Sequence, residues 1–452
     1  MFSPCNNSFE IFKQLDRANR LNVFSLKQIQ NAMNPDNFFL TNTLAKELMI
    51  STNGRSIVNG VNNFQQDLIN SSLDYWSLNR KNSEFVIGKN IARTPCSVIY
   101  KTELLEVLSY KTTDSHEIPI LIVPSTINKY YMLDLSEENS LIKYLVDQNF
   151  QVFTISFNNL DHPKFSFQDC LNEIEQVIKF LVDELGYPKL NLFGYCMGGT
   201  FISILMDKLE SYINSMSFVN SGLNYDDIGE FDLFINNQTL PLIEEYANKY
   251  GFIKGQLVGQ MFNMIKSKDA VWKYYQNNYL YGNDPMKSDI MYWNDDSVNQ
   301  SIENLMFFIR EIYLGNKLAK NSLVIENQII TLKSRLPKFF IGCIHDHIIT
   351  PQCILDSGLL LDNATICLST GGHVNGIVNP PYRNKGKHWI ISNPNQAISS
   401  IINSKDYNFG SWWTSWVNWL KDFSGAISTE DNSKINLYKI QDDCGEYVKI
   451  QL

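Results

Sequence analysis

Positive charge is scarce in this sequence of 452 residues. Lysine and arginine total 38 against 47 aspartates and glutamates, which gives a net charge of −9. A protein that binds nucleic acid by bulk electrostatic attraction needs clustered lysine and arginine, so we expect no nucleic-acid partner. No apolar run approaches the length of a membrane-spanning helix, and we expect no membrane span.

Paired cysteine spacing is also missing. The eight cysteines are scattered at positions 5, 96, 170, 196, 343, 353, 367 and 444, and from the polar segment MFSPCNNSFE we expect no secretory leader. Disulfide frameworks belong to oxidising compartments and show regular spacing in small secreted domains. The pattern predicts reduced thiols and a cytoplasmic location.

Apolar and aromatic residues are plentiful, at 44% and 13% of the chain. At this length they can form a substantial core. The aromatic side chains would suit a lipid-like or polymeric ligand, or plain core packing.

The pattern of the chain changes near residue 96. Residues 1–95 are polar with amphipathic spacing, which predicts a helical accessory region. Residues 96–452 alternate short apolar runs with helix-like segments, which predicts an α/β domain with a mostly parallel central sheet. Between about 224 and 335, helical and aromatic segments replace the alternation, as expected of a cap or lid insertion above the carboxyl ends of the strands.

Individual elements can be placed within the α/β pattern. The expected strands include 98–100, 118–123, 151–156, 190–193, 215–220, 338–343 and 364–368. The expected helices include 104–110, 135–147 and 167–185.

The segment LNLFGYCMGGTF at 190–201 carries the nucleophile prediction. An apolar strand ends in a glycine-rich turn with Cys196 at its apex, and a helix-compatible run follows at once. G-x-S-x-G sequences use this geometry to hold a serine above a parallel sheet. Glycines two positions before and after the apex leave room where strand and helix crowd together. Cys196 is therefore a candidate nucleophile, while the alternative is a small buried apolar residue.

Two later loops supply partners for the thiol. Asp346 follows the strand at 338–343, and His373 follows the strand at 364–368, which we interpret as the last of the sheet. Nucleophile, acid and histidine in this order match the α/β-hydrolase triad. We expect His373 to accept the thiol proton and Asp346 to fix the tautomer of the ring.

Other roles stay open for these loop residues. Cys343, His345 and His347 could ligate a metal ion, but the second cluster that a closed zinc site needs is not evident. Asp346 could cap a turn, and His373 could be a surface histidine. We expect no metal and no cofactor.

Attack on a carbonyl group also requires hydrogen-bond donors for its oxygen. The backbone N–H of Met197, directly after the nucleophile, is the expected first donor. The loop after the strand at 118–123 should supply the second, and Ile127 N–H is our choice. A thiolate that attacks a thioester exchanges one thioester for another at little energetic cost, so cysteine favours acyl transfer from a thioester donor.

From about residue 63 to 452, the chain resembles the polyhydroxyalkanoate synthases, also called poly-3-hydroxybutyrate polymerases, of the class I type. The resemblance is carried by FVIGKNIARTP (85–95), LIVPSTINKYYMLDL (121–135), LNLFGYCMGGT (190–200), DHIITP (346–351), GGHVNGIVNPP (371–381) and GSWWTSWVNWL (410–420). The chain departs from the family pattern at Ser125, Gly371 and Thr414, and its N-terminal region is shorter.

The resemblance implies an α/β-hydrolase fold with a helical cap and a shortened helical N-terminal region. It implies an acyltransferase that polymerises (R)-3-hydroxyacyl-CoA, with 3-hydroxybutyryl-CoA as the expected substrate, into polyhydroxyalkanoate with release of CoA. Cys196 would carry the growing polyester chain as a covalent acyl-cysteine. Tyr131, Asp134 and His347 are carried over as supporting residues. The family also implies a homodimer at the surface of cytoplasmic polyhydroxyalkanoate granules.

Two alternatives come from other functional classes. One is an intracellular polyhydroxyalkanoate depolymerase or thioesterase of the same fold. The other is a catalytically silent granule-coating protein. The set of Cys196, Asp346 and His373 argues against a coat protein, and the tryptophan-rich segment at 410–420 favours the polymerase.

Overall fold

A computed structural model of the protein describes residues 17–70, 84–284, 288–429 and 433–451. The strands in these ranges are β1 (Cys96–Lys101), β2 (Leu105–Tyr110), β3 (Asp114–His116), β4 (Ile120–Val123), β5 (Val152–Phe157), β6 (Leu190–Tyr195), β7 (Ile213–Val219), β8 (Val324–Ile325), β9 (Gln328–Ile329), β10 (Lys338–Cys343), β11 (Ala364–Ser369), β12 (Lys387–Ile391), β13 (Asn408–Phe409) and β14 (Ile427–Thr429).

The α-helices of the same ranges are α1 (Arg17–Ala32), α2 (Thr43–Ser51), α3 (Arg55–Asn70), α4 (Leu141–Asp147), α5 (Phe167–Lys179), α6 (Met197–Leu205), α7 (Leu240–Tyr250), α8 (Gly255–Ile265), α9 (Lys273–Tyr275), α10 (Asp289–Asp295), α11 (Ile302–Phe307), α12 (Pro351–Leu359), α13 (Ile398–Asn403), α14 (Trp412–Lys421) and α15 (Ser433–Tyr438). Among these described helices, none has the length and apolar character needed to cross a bilayer.

A ten-stranded sheet forms the centre of the fold, in the order β1-β2-β5-β4-β6-β7-β10-β11-β12-β13. The six strands from β5 to β11 pair in parallel. The outer pairings at both ends of the sheet are antiparallel. The mostly parallel central sheet is therefore confirmed.

Continuous apolar runs explain why these strands lie at the centre. All residues of β4, β6 and β10 are buried. Strands of a parallel sheet are covered by helices on both faces, so they have no polar face to alternate with the apolar one. The run ILIV of β4 follows this rule.

Two predictions about the ends of the sheet are wrong. The segment 104–110 was expected to be a helix, but β2 occupies Leu105–Tyr110 and pairs with both β1 and β5. Pairing on both sides outweighs the weak local preference of so short a segment. His373 was expected after the last strand, but β12 and β13 follow β11 and extend the sheet.

Helix boundaries follow local capping. The helix expected at 135–147 begins only at Leu141, where the Ser140 side chain accepts a hydrogen bond from Lys143 N. The helix expected at 167–185 begins at Phe167 after a capping box formed by Ser166 and Asp169. It continues beyond Lys179 as a π-helical turn, Phe180–Glu184. Side-chain caps satisfy the orphan N–H groups of a first turn and so fix where a helix starts.

The chain divides into two compact units. Of the described residues, those within 1–83, 230–234 and 256–295 form unit 1, and those within 84–229, 235–255 and 296–452 form unit 2. Within unit 1, the hydroxyl groups of Tyr274 and Tyr279 each donate to Asp67 Oδ2 at 2.7 Å. These bonds join α3 to the segment 256–295 of the same unit. The helical character expected of the N-terminal region is confirmed for its described part, while the domain limits near 95, 224 and 335 stay predictions.

Candidate active site

Cys196 lies at the sharp turn between β6 and α6. Its backbone has φ 53° and ψ −121°, a conformation that residues other than glycine seldom adopt. Neighbouring backbone holds it there, because Cys196 N donates to Val219 O and Gly199 N donates to Cys196 O, both at 3.0 Å. The turn is therefore fixed by the sheet on one side and by the helix on the other.

The glycines of this turn are required by close packing, as the sequence predicted. A Cβ atom on Gly194 would lie 2.4 Å from Gly199 Cα, and one on Gly198 would lie 1.9 Å from Val123 O. Both neighbours are backbone atoms, which cannot move aside as a flexible side chain can. Any larger residue at either position would displace the elbow.

The Asp346 carboxylate and the His373 imidazole form a buried pair. His373 Nδ1 lies 2.7 Å from Asp346 Oδ2, and the two side chains are 9% and 0% exposed. The other carboxylate oxygen, Oδ1, accepts hydrogen bonds from Ile348 N at 2.8 Å and Ile349 N at 3.0 Å. These three contacts leave the carboxylate one orientation, aimed at the ring.

The electrostatics of this pair favour a protonated ring. Burial by itself lowers the pKa of His373, but the charge of Asp346, its hydrogen bond to the ring and a hydrogen bond with Cys196 raise this pKa to about 10. Since Nδ1 faces Asp346, the ring nitrogen left for the thiol is Nε2. The structure thus brings Cys196, His373 and Asp346 together at the carboxyl ends of β6, β10 and β11.

Asn220 is a neighbour of His373 that the sequence analysis did not identify. It follows β7 directly, and its Nδ2 donates to His373 O at 2.7 Å. Its own backbone N–H donates to Ile341 O at 2.8 Å. Asn220 therefore ties the histidine loop to two adjacent strands. The only signal in the sequence was an asparagine at a strand end, a position that asparagine often takes for turn geometry alone.

The tryptophan-rich segment at 410–420 supports the same loop. Trp412 Nε1 donates to Gly376 O at 3.1 Å, and Trp413 Nε1 donates to Ile377 O at 2.8 Å. Both tryptophans are fully buried. For these side chains, core packing is the role that the structure shows, and this packing holds the turn that follows His373.

The two predicted oxyanion donors differ in their surroundings. Met197 is the first residue of α6, and the first N–H groups of a helix have no acceptor within it. Ile127 N–H donates to Ser125 Oγ at 3.1 Å, so a substrate oxygen would have to replace this intraloop contact. The loop contacts the helix directly, because Thr126 Oγ1 donates to Met197 Sδ at 3.2 Å.

Two of the predicted supporting residues, Tyr131 and Asp134, are held by buried hydrogen bonds. Tyr131 is buried, and its hydroxyl donates to Asp296 Oδ2 at 2.8 Å. Asp134 accepts hydrogen bonds from Thr94 Oγ1 at 2.5 Å and Ser140 Oγ at 2.7 Å. Burial raises the pKa of Asp134 to about 6, although these hydrogen bonds oppose the shift.

His347 is half-buried in the Asp346 loop. Across the described residues, no three His, Cys, Asp or Glu side chains group in a way that could hold a metal ion. Cys343, which also precedes this loop, is buried in the sheet, and its burial raises the pKa of the thiol well above the ordinary value.

Comparison with known proteins first identifies the class. Residues 118–380 match the family model of the alpha/beta hydrolase fold. The chain is therefore an α/β-hydrolase-fold protein, as the alternation of strands and helices and the elbow predicted.

The particular family follows from the relatives. A model described as the N-terminus of poly-beta-hydroxybutyrate polymerase (PhaC) matches residues 5–145. The poly(3-hydroxyalkanoate) polymerase subunit PhaC of Rhizobium meliloti is 30% identical over 448 residues, covering 96% of this chain and 73% of the relative. The subunit of that name from Cupriavidus necator is 30% identical over 449 residues, covering 94% and 75%. The chain belongs to the poly(3-hydroxyalkanoate) polymerase family of acyltransferases.

Proposed function

We propose that this protein polymerises (R)-3-hydroxyacyl-CoA, with 3-hydroxybutyryl-CoA as the main substrate, into polyhydroxyalkanoate through an acyl-cysteine at Cys196. The observation that carries the proposal is the buried His373–Asp346 pair beside the elbow that presents Cys196, in a chain of the poly(3-hydroxyalkanoate) polymerase family. Cysteine suits this task because its acyl thioester stays activated for the next transfer.

The first step loads the enzyme. His373 takes the proton of Cys196, and the thiolate attacks the thioester carbonyl of the substrate. A carbon–sulfur bond to Cys196 forms while the bond to the CoA sulfur breaks, and the imidazolium returns its proton to the departing CoA thiolate. The N–H groups of Met197 and Ile127 are the proposed donors to the carbonyl oxygen, which is negatively charged in the intermediate.

The second step makes the ester. The 3-hydroxyl group of another hydroxyacyl-CoA attacks the acyl-cysteine carbonyl, and His373 removes the hydroxyl proton. Cys196 leaves as thiolate and regains a proton from the imidazolium. The product is one unit longer and ends in a CoA thioester, which the thiol attacks again with release of CoA. Asp346 keeps the ring in the orientation and charge state that both steps need.

We extend the proposal to a homodimer that works at the surface of cytoplasmic polyhydroxyalkanoate granules. Apolar side chains exposed along residues 17–70 support such a contact. Examples are Leu26, Met33, Leu40, Ile50 and Ile69, each more than half exposed. Large apolar side chains left exposed in such number favour contact with another apolar body. Light scattering of the purified protein and flotation with isolated granules test the two parts separately.

Polymer synthesis is tested with purified protein and (R)-3-hydroxybutyryl-CoA, with chromatography of released CoA and of insoluble polyester. The proposal expects both products from the wild type and neither from Cys196→Ala. Cys367→Ala is the matched control, because Cys367 is buried in β11 outside the site, and it should retain both activities. Soluble 3-hydroxybutyrate as the sole acyl product would instead show a thioesterase.

A further inference from the structure

Lys129 is a buried lysine in the loop that follows β4. Its Nζ donates to both carboxylate oxygens of Asp296 at 2.7 and 2.8 Å. It also donates to Val448 O at 2.9 Å and Ile450 O at 2.7 Å. The side chains of Lys129 and Asp296 are only 3% and 6% exposed. A buried charge is costly unless it is paired and hydrogen-bonded. The buried ammonium group of Lys129 therefore depends on both the Asp296 carboxylate and the two backbone carbonyls.

The contacts of Lys129 join three parts of unit 2 that are distant in sequence. They are the loop after β4, the segment that begins at Asp296, and the C-terminal segment around Val448 and Ile450. The Tyr131 hydroxyl adds a donor to Asp296 Oδ2 at 2.8 Å. We call Lys129, Asp296 and Tyr131, with the two C-terminal carbonyls, the latch.

Further bonds from the Asp296 segment reach the backbone beside Ile127. Gln300 Nε2 donates to Ile127 O at 3.3 Å and to Thr126 O at 3.4 Å. Asn304 Nδ2 donates to Thr126 Oγ1 at 2.9 Å. The same threonine hydroxyl contacts Met197 Sδ on the nucleophile helix. The loop is thus held between the elbow on one side and the latch segment on the other.

We propose that Lys129 and Asp296 are positioning residues that hold this loop where its N–H groups can stabilise the carbonyl oxygen during acyl transfer. The inference rests on the proposed function, because it assigns the loop to the oxyanion of that reaction. The hydrogen bonds of Lys129 and Asp296 given above reach each other, Tyr131 and the C-terminal carbonyls. Their effect would act through the backbone from Thr126 to Lys129, and the C-terminal segment would contribute through its carbonyls.

The inference predicts a kinetic signature that a general loss of structure would not give. Oxyanion donors act when charge develops on the carbonyl oxygen, so losing their position lowers kcat and leaves KM nearly unchanged. Alkylation of Cys196 by iodoacetamide passes through no carbonyl anion. It depends on the thiolate alone and should proceed at the wild-type rate.

The test variant is Lys129→Met combined with Asp296→Asn, since removing the lysine alone would leave a buried carboxylate unpaired. Loss of one oxyanion donor lowers kcat by about 100-fold or more, and we expect a fall of that order in CoA release. Tyr131→Phe keeps the ion pair and should give a smaller fall in kcat. Circular dichroism and thermal melting establish that each variant is folded at the assay temperature.

Lys338→Met provides the matched control. Lys338 is fully buried, and its Nζ donates to the carbonyls of Ser334, Leu336 and Asp362 at 2.7, 2.9 and 3.1 Å. It lies at the start of β10, whereas Asp346 lies beyond the end of that strand. Its loss should lower the melting temperature but leave kcat at the wild-type value.

Three results would overturn the inference: an unchanged kcat in the folded double variant, a parallel fall in alkylation rate, or an equal fall in kcat for Lys338→Met. Acylation by p-nitrophenyl butyrate separates the latch from the polymerase assignment, because it needs an oxyanion donor but no polymerisation. If the wild type released no CoA yet was acylated, and the double variant was acylated far more slowly, the latch would stand and the polymerase proposal would fail.

Discussion

Replacing Asp346 with asparagine changes one atom at the buried end of the site. Ile348 N and Ile349 N donate to Oδ1, so the amide oxygen of the asparagine will occupy that position. The NH₂ group then faces His373 Nδ1, 2.7 Å away in the wild type. Two donors cannot face each other, so Nδ1 must become the acceptor and the ring proton moves to Nε2. In that tautomer Nε2 cannot accept the proton of Cys196.

The expected size of the effect follows from the lost charge. A hydrogen bond to a charged group contributes about 1.5–3 kcal/mol, and one pKa unit corresponds to about 1.4 kcal/mol, so the pKa of His373 should fall by roughly one to two units. The pKa of His373 is expected to fall and not to rise, because the carboxylate stabilises the protonated ring, whose pKa is about 10 in the wild type. Since the protonated ring in turn stabilises the thiolate, Cys196 should become reactive only at a higher pH.

The assay is the rate of Cys196 alkylation by iodoacetamide as a function of pH, followed by peptide mass spectrometry, with Cys196→Ala as the blank. We expect the midpoint of the Asp346→Asn profile to lie above the wild-type midpoint. Asp134→Asn is the matched control, because this buried carboxylate bonds to Thr94 and Ser140. An unshifted Asp346→Asn profile, or an equal shift in Asp134→Asn, would refute the reasoning.

Three further predictions follow from the contacts of the elbow, of Trp413 and of Asp134. Gly198→Ala places a Cβ 1.9 Å from Val123 O, so it should displace the elbow, and we expect loss of CoA release together with a lower melting temperature. Trp413→Phe removes the donor to Ile377 O and should cost about 1–3 kcal/mol of unfolding free energy, measured by urea titration. Burial raises the pKa of Asp134 from 3.8 to about 6, and the folded state therefore binds this proton more tightly than the unfolded state. The free energy of unfolding of the wild type, relative to that of Asp134→Asn, should therefore fall by about 3 kcal/mol as the pH rises from below 3.8 to above about 6. If the difference between the two proteins did not change with pH, the raised pKa of Asp134 would be contradicted.

The proposed nucleophile, acid and base could be chosen from the sequence because each follows a continuous apolar run. Such runs predict buried parallel strands, and the carboxyl ends of parallel strands meet at one edge of a sheet. The elbow added a turn in which glycine is required, because a Cβ atom on Gly198 would lie 1.9 Å from Val123 O. These signals are local, and a single sequence carries them.

The remaining site residues act through contacts that no local pattern reveals. Asn220 bonds to a carbonyl 153 positions away, and Lys129 bonds to Ile450 O at a separation of 321 positions. In the sequence, Asn220 was only the last residue of an expected strand, and Lys129 was an ordinary loop residue. The helix expected at 104–110 was wrong for a related reason, because pairing with β1 and β5 decides the structure of that segment. The tryptophans at 412 and 413 could be noticed in the sequence, but their bonds to the histidine loop could not.

Mass measurement of the protein during turnover tests the central claim most directly. Wild-type protein mixed with (R)-3-hydroxybutyryl-CoA and quenched in acid should carry a hydroxybutyryl adduct, or a short oligomer, on the peptide that contains Cys196. Hydroxylamine, which cleaves thioesters, should remove it, and His373→Gln should form it far more slowly. An adduct on another residue, or full CoA release with Cys196 unmodified at every time point, would contradict the account.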